Sequence, residues 1–232
     1  MVHGAPQPPR HSAVSVAAMQ QVDAAAIERL GIPRLLLMDH AGLAVARAVQ
    51  TLLPAPSSSV LVCCGTGLNG GDGLAAARHL HGWGYPLHVV VTGRLDGLRE
   101  EPTVYAKILQ RLGLLLVECL QVADLTRIAP WWSESGVIID ALLGIGAQGA
   151  VREPAASLIA AMNRSGTPIV SADIPSGLDG DTGRVEGVAV NATVTATFGL
   201  PKRGCFIEAG PAHTGRLIVD PITIPPVLLT SA

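Results

Sequence analysis

Val60-Leu61-Val62-Cys63-Cys64-Gly65-Thr66-Gly67-Leu68-Asn69-Gly70-Gly71-Asp72-Gly73 is an apolar run that stops on a cluster of glycines. A short apolar run before such a turn signal reads as a buried strand, and the spacing beyond the glycines predicts a helix over 74–80. Cys63 and Cys64, as neighbours on a strand, face opposite sides of it. The same plan recurs downstream. Apolar runs at 87–91, 114–118, 137–140 and 169–173 alternate with helical spacing at 101–112, 125–132 and 154–163. β-rich runs follow at 192–198 and 217–222. Upstream, amphipathic spacing predicts helices over 16–30 and 35–53, separated by Gly31-Ile32-Pro33. Strands alternating with helices build a parallel sheet covered on both faces. The expected fold is α/β, a three-layer αβα sandwich, Rossmann-like, with a mainly parallel central sheet.

Composition agrees. Of 232 residues, 49% are hydrophobic and 15% charged, which excludes a disordered chain. Aromatic residues make up 3%, so the core is built from Ala, Val, Leu and Ile, as suits helices on a buried parallel sheet. Lys and Arg number 16 against 18 Asp and Glu, a net −2 that argues against charge-driven nucleic-acid binding. Residues 1–12 read as a disordered tail and 13–232 as a single domain. The four cysteines form no C-x-x-C and read as buried thiols of a reducing compartment. No apolar run approaches the ~18 residues of a membrane span. The mildly apolar 13–19 is cut off by Gln20, Gln21 and Asp23, a poor signal peptide, so a cytoplasmic location is expected.

In doubly wound sheets ligands bind beyond the carboxyl ends of the strands. Gly65, Gly67 and Gly70 match G-x-G-x-x-G at the first such end. An ordinary dinucleotide fingerprint also needs an acid about 20 residues on, and Val91-Thr92-Gly93 offers none, which disfavours a redox enzyme. The loop still exposes amides suited to an anion, and Asn69 and Asp72 add polar groups, although Asp72 also reads as a helix N-cap. Asp140 ends another strand and precedes a second G-x-G-x-x-G over Gly144-Ile145-Gly146-Ala147-Gln148-Gly149. Asp173 ends the next, before Ile174-Pro175-Ser176-Gly177-Leu178-Asp179. Two carboxylates closing apolar strands beside glycine-rich loops favour a site over two capping acids. His79 and His81, two apart on a helix, do not share a metal, and neither a P-loop nor a G-x-S-x-G elbow is present.

These blocks resemble the NAD(P)H-hydrate epimerases, the YjeF N-terminal domain family. The similarity covers 65–73 with Ala77-Arg78-His79-Leu80, then Ile139-Asp140-Ala141-Leu142-Leu143-Gly144-Ile145-Gly146 with Val151-Arg152-Glu153-Pro154. It continues through 173–179, with Leu37-Met38-Asp39-His40-Ala41-Gly42 and Gly199-Leu200-Pro201-Lys202 fitting the terminal signatures. The resemblance implies epimerisation of hydrated NADH and NADPH (NADHX and NADPHX), a nicotinamide nucleotide repair reaction. It implies substrate contacts at Leu68, Asn69, Gly70, Gly71, Asp72, Gly144, Ile145, Gly146, Ala147, Gln148, Gly149, Ala150 and Asp173. It also implies a potassium ion held by Asn69, Asp140 and Ser176, a homodimer, and coupling to a separate dehydratase. Leu68 stands where the family usually has an Asn, and Gln148 at a position often basic.

The chemistry fits. One carboxylate, one amide oxygen and one hydroxyl make a low-charge site that suits a monovalent cation better than magnesium. The substrate carbon is a carbinolamine. Protonating its hydroxyl lets water leave as the ring nitrogen forms an iminium, and water returns to the other face. Asp173 is the first candidate for the acid/base and Asp72 the second, and Asp173→Asn is expected to keep the fold. The competing reading is a non-catalytic nucleotide- or RNA-binding or protein scaffold of the same fold.

Overall fold

The computed structural model describes residues 13–230, so the tail expected over 1–12 lies outside the described residues. Seven strands form one sheet in the order β3-β2-β1-β4-β5-β6-β7. They are β1 (Ser59–Cys64), β2 (Leu87–Val91), β3 (Leu116–Glu118), β4 (Ser135–Ala141), β5 (Ile169–Ala172), β6 (Val194–Phe198) and β7 (Arg216–Asp220). Every pairing among them is parallel, with Cys64 opposite Val91 on one side and Ala141 on the other. The reversal of strand order therefore falls beside β1, where such folds open a crevice.

Helices cover both faces. On one lie α1 (Val16–Ala24), α2 (Arg34–Leu52), α3 (Leu68–Gly82) and α4 (Glu100–Arg111), packed on Val60, Val62, Cys64, Val137 and Ile139. On the other lie the short α5 (Leu125–Ile128) and α6 (Trp131–Glu134), then α7 (Ala155–Ser165), packed on Leu61, Cys63 and Ile138. Cys63 and Cys64 thus point to opposite layers, as the pleat requires. The helix expected over 125–132 is two pieces broken at Pro130, whose ring cannot continue the first. Two short helices, α8 (Gly210–Thr214) and α9 (Pro226–Leu229), flank β7. Among the described residues no helix is long and apolar enough to cross a membrane.

The largest departure from expectation is α3, which begins at Leu68 rather than at Leu74. Glycines disfavour helix by ~1 kcal/mol each, yet Gly70, Gly71 and Gly73 form its first turns. Packing decides this. A Cβ on Gly73 would meet Ala141 Cβ at 2.5 Å, and one on Gly71 would meet the Met38 side chain and Pro102. One on Gly70 would strike the Gly65 carbonyl oxygen. The helix is wedged between the sheet, α2 and α4, and only small residues let it approach. A Cβ on Gly42 of α2 would likewise meet Ala75 Cβ at 2.5 Å. A chain poor in aromatics and rich in Ala and Gly suits such close layers.

Candidate functional site

A cavity of about 880 Å3 opens at the carboxyl ends of β1, β4 and β5. Its walls include Leu68, Asn69 and Asp72 from the start of α3, the segment 144–150 after β4, and Asp173 after β5. These expected contacts are brought together. Gly70 and Gly71 are not among the lining residues, because their open faces are taken up by Gly65, Met38 and Pro102. Gly146 differs from them, since a Cβ there would meet nothing within 4 Å.

Asp173 follows β5 in the left-handed region, at φ 65°, a conformation that Asp tolerates better than most residues. Its Oδ1 accepts bonds from the Phe198 N–H at 3.2 Å and the Thr197 hydroxyl at 3.3 Å. The ammonium of Lys202 forms a salt bridge to the same oxygen. Lys202 is 1% exposed, and its Nζ also donates to Thr197 Oγ1 at 3.1 Å and to the Phe198 carbonyl at 2.8 Å. A charge so deeply buried persists only when paired. The sequence reading missed Lys202 as a site residue, although a lone lysine four residues beyond an apolar strand was a signal.

Asp72 accepts no hydrogen bond among the described residues. Burial first, then the neighbouring carboxylates of Asp173 and Asp23, hold its carboxyl well above the usual range, with Lys202 opposing. Asp23 of α1 is a second addition to the expected set. It lines the same cavity and has no hydrogen bond or ion pair among the described residues. Burial raises it to about 6; Lys202 pulls it down, Asp173 pushes it up, and Arg34 pulls it down. Asp23 falls on the face of α1 that also carries buried Met19 and Val22, so only its burial separates it from an ordinary polar helix position. Arg34, Arg99 and Arg152 stand around the same cavity.

Asn69, Asp140 and Ser176 meet around Leu143. The Asn69 amide donates to the Leu143 carbonyl at 3.0 Å, and the Leu143 N–H donates to Ser176 Oγ at 2.9 Å. Ser176 donates its hydroxyl to Asp140 Oδ1 at 2.5 Å and its N–H to Oδ2 at 2.9 Å. Ser171 completes the ring around Oδ2 at 2.8 Å. Burial raises the Asp140 carboxyl and the serine donors pull it back. Asp140 and Ser176 lie behind Leu143 rather than on the cavity wall. The Asn69 side-chain oxygen accepts no hydrogen bond among the described residues. The cluster therefore offers amide, carbonyl and hydroxyl oxygens backed by one carboxylate, a donor set that fits a large monovalent cation.

Comparison with known proteins identifies the family. The family described as YjeF-related protein N-terminus matches residues 34–204. The bifunctional NAD(P)H-hydrate repair enzyme Nnr of Pyrobaculum aerophilum is 44% identical over 86% of this chain and 39% of its own length. The NAD(P)H-hydrate epimerase of Limosilactobacillus fermentum is 38% identical over 89% of this chain and 95% of its own. The chain thus spans about two fifths of the bifunctional relatives and nearly all of the single-activity one. The crystal structure of yeast ynu0 superimposes with a TM-score of 0.77 at 25% identity, over 90% of this chain and 87% of that one.

Proposed function

We propose, on the premise that this chain belongs to the YjeF-related protein N-terminus family, that it is an NAD(P)H-hydrate epimerase. It interconverts the R and S forms of hydrated NADH and NADPH. The match to a relative named for this one activity, over 89% of this chain and 95% of that one, carries the reading. The cavity is consistent with it: its lining combines carboxyls with an acid-free glycine segment over 144–150. Asp72, whose carboxyl burial pushes well above the usual range, donates to the departing hydroxyl. Asp173, fixed by Lys202, keeps a negative charge beside the cation that forms on the ring. Proton NMR or chromatography of the two hydrate epimers tests it. Faster equilibration with the protein is expected, and no acceleration overturns the proposal.

The diphosphate is assigned to 144–150, whose backbone has room for close approach, with the hydrated ring between Asn69, Asp72 and Asp173. Gly146→Val puts its Cβ in open space at the cavity wall, so the fold is expected to be retained and affinity for ADP-ribose to fall at least about tenfold, ~1.4 kcal/mol. Calorimetry that returns unchanged affinity moves the diphosphate elsewhere.

Asn69, Asp140 and Ser176 are the residues that hold a potassium ion in this reading. When bound, the ion supplies positive charge that balances Asp140 and fixes the Leu143 segment. Replacing choline chloride by potassium chloride then raises Tm of the protein, and Asp140→Asn abolishes the rise. Equal Tm in both salts removes the cofactor.

The protein is assigned to the cytoplasm, in keeping with four free buried thiols, and to functional coupling with a dehydratase activity. Exposed Leu35 and Leu36 of α2 lie beside exposed Val104, with Tyr105 of α4 donating to the Leu35 carbonyl at 3.3 Å. That apolar surface suits a two-fold dimer. Light scattering should give twice the chain mass at micromolar concentration, and the mass of one chain refutes it.

A further inference from the structure

The reaction just proposed inverts one ring carbon by losing and regaining water, and the assignment of its proton carriers rests on that reading of the function. A hydroxyl that departs needs a proton on the face it leaves. Water that arrives on the opposite face must give a proton up there. One carboxyl on one wall serves one face, and reversibility makes each group an acid in one direction and a base in the other. Epimerisation therefore calls for two proton-holding groups on different walls.

Two carboxyls from separate elements line the cavity. Asp72 projects from the start of α3, and Asp23 comes from α1, a separate element. Neither carboxyl is held by a hydrogen bond among the described residues, whereas Asp173 is committed to Lys202. α1 is fastened over the sheet edge by the loop after β6. The Val14 N–H donates to the Pro201 carbonyl at 2.8 Å and the Arg203 N–H to the Val14 carbonyl at 3.0 Å. Met19 and Gln20 accompany Asp23 in the wall. Directly after Asp23 the helix widens into a π-turn over Ala25–Arg29, a distortion frequent at functional sites.

We propose that Asp23 and Asp72 form an acid–base pair serving the two faces of the hydrated ring. In one direction Asp72 gives its proton to the hydroxyl as the C–O bond breaks, and the electron pair leaves with the oxygen as water. The ring nitrogen lone pair forms the C=N bond. Water then bonds to the same carbon from the other face, the C=N pair returns to nitrogen, and the water proton passes to the Asp23 carboxylate. The reverse direction exchanges the roles. The surroundings make the two groups unequal as this requires. Asp72 has Asp173, Asp23, Lys202, Tyr105 and Cys64 around it, and burial pushes its carboxyl well above the usual range; Asp23 has Lys202, Asp173 and Arg34 around it and is raised to about 6.

Oxygen-18 water separates this pair from a single acid. Wild-type protein should epimerise and incorporate label into both epimers. Asp23→Asn should slow epimerisation on the order of 10²–10⁴-fold yet leave label entering one epimer with its configuration retained, because Asp72 still loses and returns water on its own face. Asp72→Asn should confine retained labelling to the other epimer, and Asp23→Glu should restore epimerisation in part. Folding of each variant is checked by circular dichroism, and if Asp23→Asn is unfolded the Asp72→Asn arm decides alone. Loss of labelling in both epimers together, or epimerisation unchanged in a folded Asp23→Asn protein, overturns the pair. A wild-type protein that does not interconvert the epimers defeats the epimerase reading instead.

Discussion

Asp173→Asn is expected to destabilise the protein by ~3–5 kcal/mol, the cost of leaving a buried charge without its partner. The stranded group is the Lys202 ammonium, 1% exposed, which would keep only neutral acceptors: the new amide oxygen, Thr197 Oγ1 and the Phe198 carbonyl. Backbone geometry is not the cause, because Asn tolerates the φ of 65° as well as Asp does. Set against a total stability of ~5–15 kcal/mol, the loss is large enough to mimic a catalytic defect. The sequence-based expectation that Asp173→Asn keeps the fold was formed without the lysine partner, with Asp173 read as a free strand-end acid. Urea unfolding of Asp173→Asn, Lys202→Met and the double variant separates the cases. The double variant should recover part of the stability, since it strands no charge. A single Asp173→Asn cost below about 1 kcal/mol would mean that Lys202 finds another counter-charge.

The layers were legible because apolar runs and helical spacing report burial directly. Val60–Cys64 and 137–140 could be little else than central parallel strands, and both are. The glycine-rich stretch was misread as a loop for a physical reason. Intrinsic preference puts Gly outside helices, whereas at Gly70 and Gly73 the deciding quantity is the distance to Gly65 and Ala141, a tertiary fact. Asn69, Asp140 and Ser176 stood out as polar residues at strand ends, and their meeting at Leu143 follows from the β1–β4–β5 neighbourhood. Asp23 and Lys202 escaped for opposite causes. Asp23 sits in an amphipathic helix where an acid is unremarkable, and Lys202 looks like a surface residue until the β6 loop folds it under α1.

Asp72→Asn is expected to slow epimerisation on the order of 10²–10⁴-fold while leaving ADP-ribose affinity unchanged. An amide keeps the size of the side chain and removes the proton that the departing hydroxyl needs. Stability should move the other way. The Asp72 carboxyl is raised in the folded protein, so folding favours its protonated form. A raised acid lowers stability as pH climbs from the unfolded value of 3.8 through the folded one, and adds no penalty below 3.8. Asn escapes that penalty. Tm of Asp72→Asn should therefore equal that of the wild type near pH 3.5 and exceed it at pH 8. The same acid sets the alkaline limb of the wild-type rate, which falls as Asp72 ionises. Lower activity together with higher alkaline stability separates a proton donor kept at a cost to the fold from an ordinary polar residue of α3, whose N-cap is Gly67 and not Asp72 as the sequence suggested.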